Sequence, residues 1–327
     1  MNRRLFMAVA ACLAAAGVMT ARTPAADVPA FDLTEWTPPQ IGAVGDDPFA
    51  GLVKYGHALT VDTANQIGPA VADPAKRYAG NNLTCQNCHL DGGTRPYALP
   101  LTGVWGQFPQ YRGREGQIGT LEERINGCME RSMNGHALPL DGIEMKAFLA
   151  YAKWLSSGIP AGARLKGGGT MKIEEPDRAA DPARGAGIYA DSCAVCHGAD
   201  GRGRRAGTGA GYEFPPIAGP DSYNNGAGMT RILTAAAFVR HNMPLGTKFD
   251  APVLSEADAY DVAAYINSLD RPAKPDLERD YPNKMQKPAD APYGPYVDGF
   301  TADQHKYGPF RPIRARLKEL AAAQKRD

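Results

Sequence analysis

Two five-residue motifs constrain this chain more than any other feature: Cys85-Gln86-Asn87-Cys88-His89 and Cys193-Ala194-Val195-Cys196-His197. In a C-x-x-C-H motif the two thiols bond covalently to a haem, and the histidine that follows ligates its iron. The alternative is one zinc site built from both cysteine pairs. The motifs lie 105 residues apart, from Cys88 to Cys193, whereas paired zinc motifs usually stand about 15–20 residues apart. The sequence therefore predicts two covalently bound haems c.

The first 26 residues have the pattern of an export signal. Arg3 and Arg4 precede an apolar run over residues 5–19, and small residues suit cleavage near Ala21 or Ala26. A run of about 15 apolar residues is shorter than the roughly 20 that span a bilayer, so no stable membrane span is expected. Cys12 would suit lipoprotein processing, but the apolar run continues past it. We therefore predict a signal peptide and a periplasmic location, where haem c is attached.

Cys128 remains once Cys12 and the four motif cysteines are set aside. In an oxidising compartment a lone cysteine pairs between molecules, lies buried, or serves chemistry. Burial is common for cysteines in general. The arginines around Cys128 favour chemistry.

The chain resembles two similar units joined in tandem. A length of 327 residues with 43% apolar residues suits about two domains, and a net charge of +1 gives no reason to predict nucleic-acid binding. Each unit starts with a Gly-x-x-x-Tyr helix, at Gly51 and at Gly185. Each ends with an amphipathic helix, expected to start at Asp141 in unit one and to be capped by Ser255 in unit two. Tyr151 and Tyr265 match at an offset of 114, which indicates an internal duplication.

The predicted fold is mainly α, with two tandem class I cytochrome c-like domains, long loops and an irregular C-terminal wrap. The predicted boundaries are a signal peptide at 1–26, an N-terminal domain with haem one at 27–158, a Gly- and Pro-rich linker at 159–184, a C-terminal domain with haem two at 185–272, and a tail at 273–327. The tail is rich in proline and tyrosine, so we expect it to wrap over the domains and to end in an exposed helix from Ile313.

Each haem needs a second axial ligand. For haem two the candidate is Met243, which precedes a proline after a predicted helix, and His241 is the alternative. In unit one, Thr120 and Glu123 form a capping box that predicts a helix over 121–133. Four side chains compete there as the ligand of haem one: Cys128, Met129, Met133 and His136.

Cys128 is the favoured ligand of haem one, with Met133 as its main rival. Met129 falls on the packed stripe of the helix, and the neighbouring arginines would lower the pKa of the Cys128 thiol. A thiolate ligand would lower the potential of haem one relative to haem two, so electrons would pass from one to two.

Arginines surround Cys128 in the sequence. Arginine forks suit tetrahedral oxyanions, and beside a thiolate ligand they point to a sulfur oxyanion. The alternative is that they are solvated or paired with nearby glutamates. The residues concerned are Arg112, Arg114, Arg124, Arg131 and Ser132.

Long stretches of the chain resemble the dihaem thiosulfate dehydrogenases that form tetrathionate. The stretches are 81–84, 101–112, 123–135, 214–216, 223–229 and 308–310, and the similarity covers roughly residues 48–313. This resemblance implies periplasmic oxidation of two thiosulfates to tetrathionate with release of two electrons, often with the reverse reduction, and a cytochrome or other periplasmic redox protein as acceptor.

By position, the resemblance implies His89 and Cys128 as ligands of haem one, and His197 and Met243 as ligands of haem two. It places Arg114, Arg124 and Ser132 in the substrate pocket. In some members a lysine before the distal methionine replaces it on iron, whereas this chain has Asn242 there. The competing hypotheses are a passive dihaem electron shuttle, which would use methionine at haem one, and a dihaem peroxidase, which needs an open haem position.

Overall fold

The computed structural model describes residues 28–324, so the predicted signal peptide and Cys12 lie outside the described residues. No helix in this part is long and apolar enough to cross a membrane. The helices are α1 Pro48–Val61, α2 Thr63–Ile67, α3 Leu90–Gly93, α4 Leu121–Arg131, α5 Ile143–Leu155, α6 Pro182–Ser192, α7 Ala194–His197, α8 Ile232–Asn242, α9 Glu256–Ser268, α10 Ala302–Tyr307 and α11 Arg311–Gln324. The strands are β1 Ala30–Asp32, β2 Gln110–Arg112, β3 Gln117–Gly119, β4 Arg164–Lys166, β5 Arg204–Arg205 and β6 Tyr212–Phe214.

Side-chain caps fix where most of the long helices begin. Asp47 starts α1 by accepting from two backbone N–H groups, and Asp181 does the same for α6. The predicted caps Thr120 and Ser255 are both confirmed. The expected start at Asp141 is wrong, because α5 begins at Ile143 behind Gly142 without a side-chain cap.

In each unit the opening helix crosses the closing helix at a glycine. A Cβ on Gly56 of α1 would lie 2.1 Å from the Ala147 carbonyl oxygen of α5. A Cβ on Gly185 of α6 would lie 2.0 Å from the Asp261 carbonyl oxygen of α9. Ala147 and Asp261 are separated by the same 114 residues as the two closing helices. The structural partner of Gly185 is therefore Gly56 and not Gly51, which corrects the register of the opening helices.

Replacing Gly56 by alanine should destabilise the protein, because the helix backbones would have to separate. Overpacking of this kind typically costs about 1–3 kcal/mol. The matched control is Gly51→Ala in the same helix, where a Cβ would meet no atom within 4 Å. That change should stabilise by about 0.5–1 kcal/mol. Urea unfolding of the holoprotein, followed by far-ultraviolet circular dichroism, measures both, and equal midpoints for the two variants would contradict the assigned crossing point.

The linker and the tail both pack against the cytochrome units. In the linker, β4 pairs in parallel with β1, and the Gly167 carbonyl accepts from Tyr97 N at 2.6 Å. In the tail, Ile313 of α11 is completely buried in the core cluster that includes α8 and α9. The prediction of an exposed terminal helix is therefore wrong for the face of α11 that carries Ile313.

A loop of unit two lies against the C-terminal end of α4. Asn224 Nδ2 donates to the Glu130 carbonyl at 2.8 Å, and Asn224 N donates to the Arg131 carbonyl at 3.1 Å. Asn81 Nδ2 bridges the units by donating to the carbonyls of Ser132 and Ser222, at 2.9 and 3.1 Å. These bonds fix the helix that carries Cys128 between the two units.

Candidate functional site

Both C-x-x-C-H motifs line one continuous cavity of ≈ 610 Å³. Its walls are predominantly apolar, as cofactor sites usually are. The motif and candidate axial side chains that it collects are Cys85, Cys88, His89, Cys128, Cys193, Cys196, His197 and Met243. The cavity therefore suits two covalently held haems in neighbouring positions.

The two motif histidines are oriented in the same way. His89 Nδ1 is bonded to the Leu99 carbonyl at 2.5 Å, and His197 Nδ1 to the Pro215 carbonyl at 2.8 Å. A carbonyl can only accept, so Nδ1 carries the proton in each ring and Nε2 keeps its lone pair. Each histidine is thus prepared to ligate iron through Nε2.

The motif thiols and Cys128 lie in opposite electrostatic environments. Burial raises the pKa of Cys85 to about 11 and that of Cys88 to about 12. Burial also opposes ionisation of Cys128, but the positive charge of Arg124 outweighs it and lowers the pKa of Cys128 to about 6. Arg124 Nη1 donates to Cys128 Sγ at 2.8 Å. Cys128 is therefore the thiol whose surroundings favour a thiolate.

Cys128 and His89 both line the haem cavity, so both side chains would be available to hold the iron of haem one. Of the rival ligands, Met129 and Met133 also line the cavity but are 1% and 3% exposed in the core cluster of unit one. His136 is exposed and packs edge-on against Tyr78.

At the second haem position, Met243 lines the cavity at the C-terminal end of α8. His241 is buried, and its Nδ1 is bonded to the Ala237 carbonyl of the same helix at 2.9 Å. Asn242 is 1% exposed, and its Nδ2 donates to the Tyr97 and Phe238 carbonyls at 3.2 and 3.1 Å. Met243 lines the haem cavity and His241 does not, so Met243 is the better placed of the two candidate ligands.

Replacing Met243 by glycine should lower the potential of haem two, by on the order of 100 mV, because the soft ligand is lost. Thiosulfate chemistry at haem one should survive, while electron delivery to an acceptor slows. Spectroelectrochemical titration measures the potential, and low-temperature EPR shows whether His241 takes the vacant position. An unchanged haem-two potential would mean that Met243 is not the ligand.

A second pocket, of ≈ 380 Å³, adjoins the haem cavity. Three residues border both the haem cavity and the second pocket: Arg124, Cys128 and Ser132. Arg114 lines the second pocket but not the haem cavity. The structure thus brings together all four predicted catalytic residues. Gly127 lines the second pocket and not the haem cavity, so its lack of a side chain widens this pocket.

The pocket arginines differ in their partners. Arg112 forms a bidentate pair with Glu115, at 3.0 and 3.2 Å, and Arg131 Nη2 donates to Asp280 Oδ1 at 2.7 Å. In the described part of the chain, no carboxylate lies within 4.0 Å of Arg124, and the closest to Arg114 is Asp280 at 3.8 Å. Arg114 and Arg124 are therefore the cations left to bind an anion.

Burial disfavours the charged form of Arg114, yet its pKa is raised, because Tyr281, Tyr293 and Asp280 stabilise the cation. These three residues belong to the C-terminal tail, and Tyr281 lines the pocket together with Gln286. Sequence reasoning missed this contribution. The only signal was the density of tyrosines, which indicates packing without identifying a target.

Two cytochrome family descriptions match the chain. "SoxA/TsdA, cytochrome c domain" matches residues 75–161, and "Cytochrome c" matches residues 182–270. Each match contains one of the C-x-x-C-H motifs.

Several curated relatives are thiosulfate dehydrogenases. That of Stutzerimonas stutzeri is 43% identical over 240 residues, covering 73% of this chain and 74% of the relative. That of Allochromatium vinosum is 41% identical over 242 residues, covering 72% of this chain and 84% of the relative. The protein from Psychrobacter arcticus is 38% identical over 247 residues, with coverages of 75% and 71%.

Among solved structures, the "as isolated" form of thiosulfate dehydrogenase (TsdBA) from Marichromatium purpuratum is similar, with a TM-score of 0.67 and 39% identity. The similarity covers 74% of this chain and 51% of that longer chain. This chain therefore corresponds to about half of that protein.

Proposed function

This chain belongs to the thiosulfate dehydrogenase family of dihaem c-type cytochromes, and we propose that it joins two thiosulfate dianions into tetrathionate beside Cys128. It is a thiosulfate-oxidising enzyme with two covalently bound haems c. One observation carries the assignment of the site. Arg114 and Arg124 face a pocket that meets the haem cavity at the Cys128 thiol.

The reaction needs no proton transfer. The outer sulfur atoms of two thiosulfates form one S–S bond, and two electrons leave as the two dianions become one tetrathionate dianion. The haems, when bound, accept these two electrons. The protein must therefore bind negative charge beside the acceptor and hold the reacting sulfur atoms close together, which is a task of electrostatics and positioning.

Arg114 and Arg124 suit the sulfonate end of thiosulfate, because each guanidinium presents paired donors in a fixed plane. Arg124 also donates to Cys128 Sγ and so keeps that sulfur oriented at the border of the pocket. Ser132, at the C-terminal end of α4, adds a hydroxyl donor in the same wall. The outer sulfur of the substrate then lies toward Cys128 and the cavity.

The residues that would hold the haems follow from the cavity. Cys85 and Cys88 would attach haem one, with His89 and Cys128 as axial ligands, in the domain that we place at 27–158. Cys193 and Cys196 would attach haem two, with His197 and Met243 as axial ligands, in the domain that we place at 185–272. Cys128, and not a methionine, opposite His89 favours an enzyme over a passive shuttle.

We further propose that the protein works in the periplasm after removal of residues 1–26, and that a cytochrome or another periplasmic redox protein receives the electrons. The reverse reduction of tetrathionate belongs to the same proposal, because the pocket binds the same sulfonate groups in either direction. Asn242 stands directly before Met243, where some members of the family have a lysine, and two backbone carbonyls hold its side-chain amide. This position therefore supplies no lysine to replace Met243 on the iron of haem two.

Steady-state assays with thiosulfate and ferricyanide test the activity. We expect one tetrathionate, identified by ion chromatography, for every two ferricyanide reduced. Tetrathionate with a reduced viologen tests the reverse direction. Low-temperature EPR separates thiolate/His, Met/His and five-coordinate haem. Failure of thiosulfate to reduce the haems, or a Met/His spectrum at both positions, would favour the electron shuttle.

A further inference from the structure

The C-terminal tail completes the wall of the substrate pocket. Tyr281 N donates to the Arg114 carbonyl at 2.7 Å, and Tyr111 Oη donates to Gln286 Oε1 at 2.8 Å. Tyr281 and Gln286 both line the pocket. The loop that carries Arg114 is thus bonded directly to residues outside both cytochrome domains.

Asp280 connects this tail to α4. Its carboxylate is 9% exposed, and Oδ1 accepts from Arg131 Nη2 at 2.7 Å. Oδ2 accepts from Tyr293 Oη at 2.6 Å, whereas Arg114 Nε lies 3.8 Å from the same oxygen. Because Oδ2 already accepts a hydrogen bond from Tyr293, Asp280 attracts Arg114 electrostatically but forms no hydrogen bond with it. The guanidinium of Arg114 therefore remains available to an anion.

Tyr281 is held in an uncommon backbone conformation, with φ of 55°. A residue with a bulky side chain keeps a left-handed backbone conformation only where the surrounding structure enforces it. Residues in such conformations cluster at ligand sites. The Arg114 guanidinium lies over the Tyr281 ring, 5.9 Å from its centroid. In the described part of the chain the Tyr281 hydroxyl makes no hydrogen bond, so its proton is available to an acceptor inside the pocket.

We propose that the tail forms part of the substrate site, with Tyr281 donating its hydroxyl proton to an oxygen of the bound sulfur oxyanion. In the same arrangement Asp280 and Tyr293 position Arg114. This inference rests on the proposed function, because it assigns new contacts to the same anion. It predicts that tail residues affect substrate affinity more than the rate of electron release.

Three tyrosine-to-phenylalanine variants of the holoprotein test this inference. Tyr281→Phe removes the hydroxyl of a residue that lines the pocket. Tyr293→Phe removes the donor to Asp280 Oδ2, and the freed carboxylate oxygen then draws Arg114 away from the anion. The matched control is Tyr296→Phe, since Tyr296 Oη donates to the Ala291 carbonyl at 2.9 Å and neither residue lines the pocket. Each change deletes a single oxygen and preserves the ring.

Calorimetric titration of thiosulfate into the fully reduced protein measures binding without turnover, because reduced haems cannot accept electrons from thiosulfate. Tyr281→Phe and Tyr293→Phe should each raise the dissociation constant about three- to tenfold, the value of one hydrogen bond. KM should rise similarly with kcat largely retained, and Tyr296→Phe should match the wild type.

The outcomes separate the two levels of the proposal. Wild-type affinity in both pocket variants would overturn the tail assignment while leaving thiosulfate oxidation intact. A fall in kcat without weaker binding would likewise overturn it, because that pattern marks disturbed chemistry or structure. Absence of thiosulfate binding and oxidation in the wild type would instead remove the proposed function itself.

Discussion

Cys128→Met should abolish thiosulfate turnover, by at least about 10³-fold, while both haems remain attached. The structure gives the physical reason. Cys128 Sγ accepts from Arg124 at 2.8 Å, and Cys128 borders the substrate pocket as well as the haem cavity. A thioether can still ligate iron, but it is uncharged and gives Arg124 only a weak acceptor. Kinetics with ferricyanide measure the loss, and EPR should show a Met/His signal replacing the thiolate signal at haem one.

Met133→Leu is the matched control for Cys128→Met. Met133 is the rival sulfur ligand, and it is 3% exposed in the core of unit one. Leucine conserves its volume, so the variant should lose less than about 1.5 kcal/mol of stability and keep its activity and thiolate signal. The reverse pattern, an altered spectrum in Met133→Leu and full activity in Cys128→Met, would move the ligand and the active site away from Cys128.

Features that depend only on residues close together in the sequence could be predicted from it. The C-x-x-C-H motifs and the helix caps Thr120 and Ser255 depend on neighbours within five residues. The duplication was visible in the closing helices, because Tyr151 and Tyr265 match at an offset of 114 residues. The Arg124–Cys128 contact is likewise a one-turn relation along α4, which a helical pattern predicts directly.

Features that depend on long-range packing could not be placed. Gly51 and Gly56 both lie in α1, and only the crossing of α5 shows that Gly56 is the contact point. Ile313 is buried because α11 packs on unit two. Asp280 meets Arg131 across 149 residues of sequence, and no local rule connects them. The sequence predicted that the tail wraps over the domains, but it did not predict that tail residues line the pocket.

Replacing Arg114 or Arg124 by alanine should lower kcat/KM for thiosulfate about 30- to 150-fold. This corresponds to about 2–3 kcal/mol for one charge-assisted contact in a partly desolvated site. The lysine variants should retain part of the activity, because they keep the charge and lose the bidentate fork. Steady-state kinetics on the four variants measure these losses. Arg112→Ala should cost about 1 kcal/mol or less, because Arg112 is occupied by Glu115.

The two arginines should also differ from each other. Arg124 touches Cys128 Sγ, so Arg124→Ala should change the EPR signal of haem one as well as the kinetics. Arg114 lines the pocket without bordering the haem cavity, so Arg114→Ala should act on substrate and leave that signal unchanged. Wild-type efficiency in both alanine variants, together with a large loss in Arg112→Ala, would place the anion on Arg112 and Arg131. The buried pair of Arg131 with Asp280 argues against that placement, since an anion there would have to displace a carboxylate already bonded at 2.7 Å.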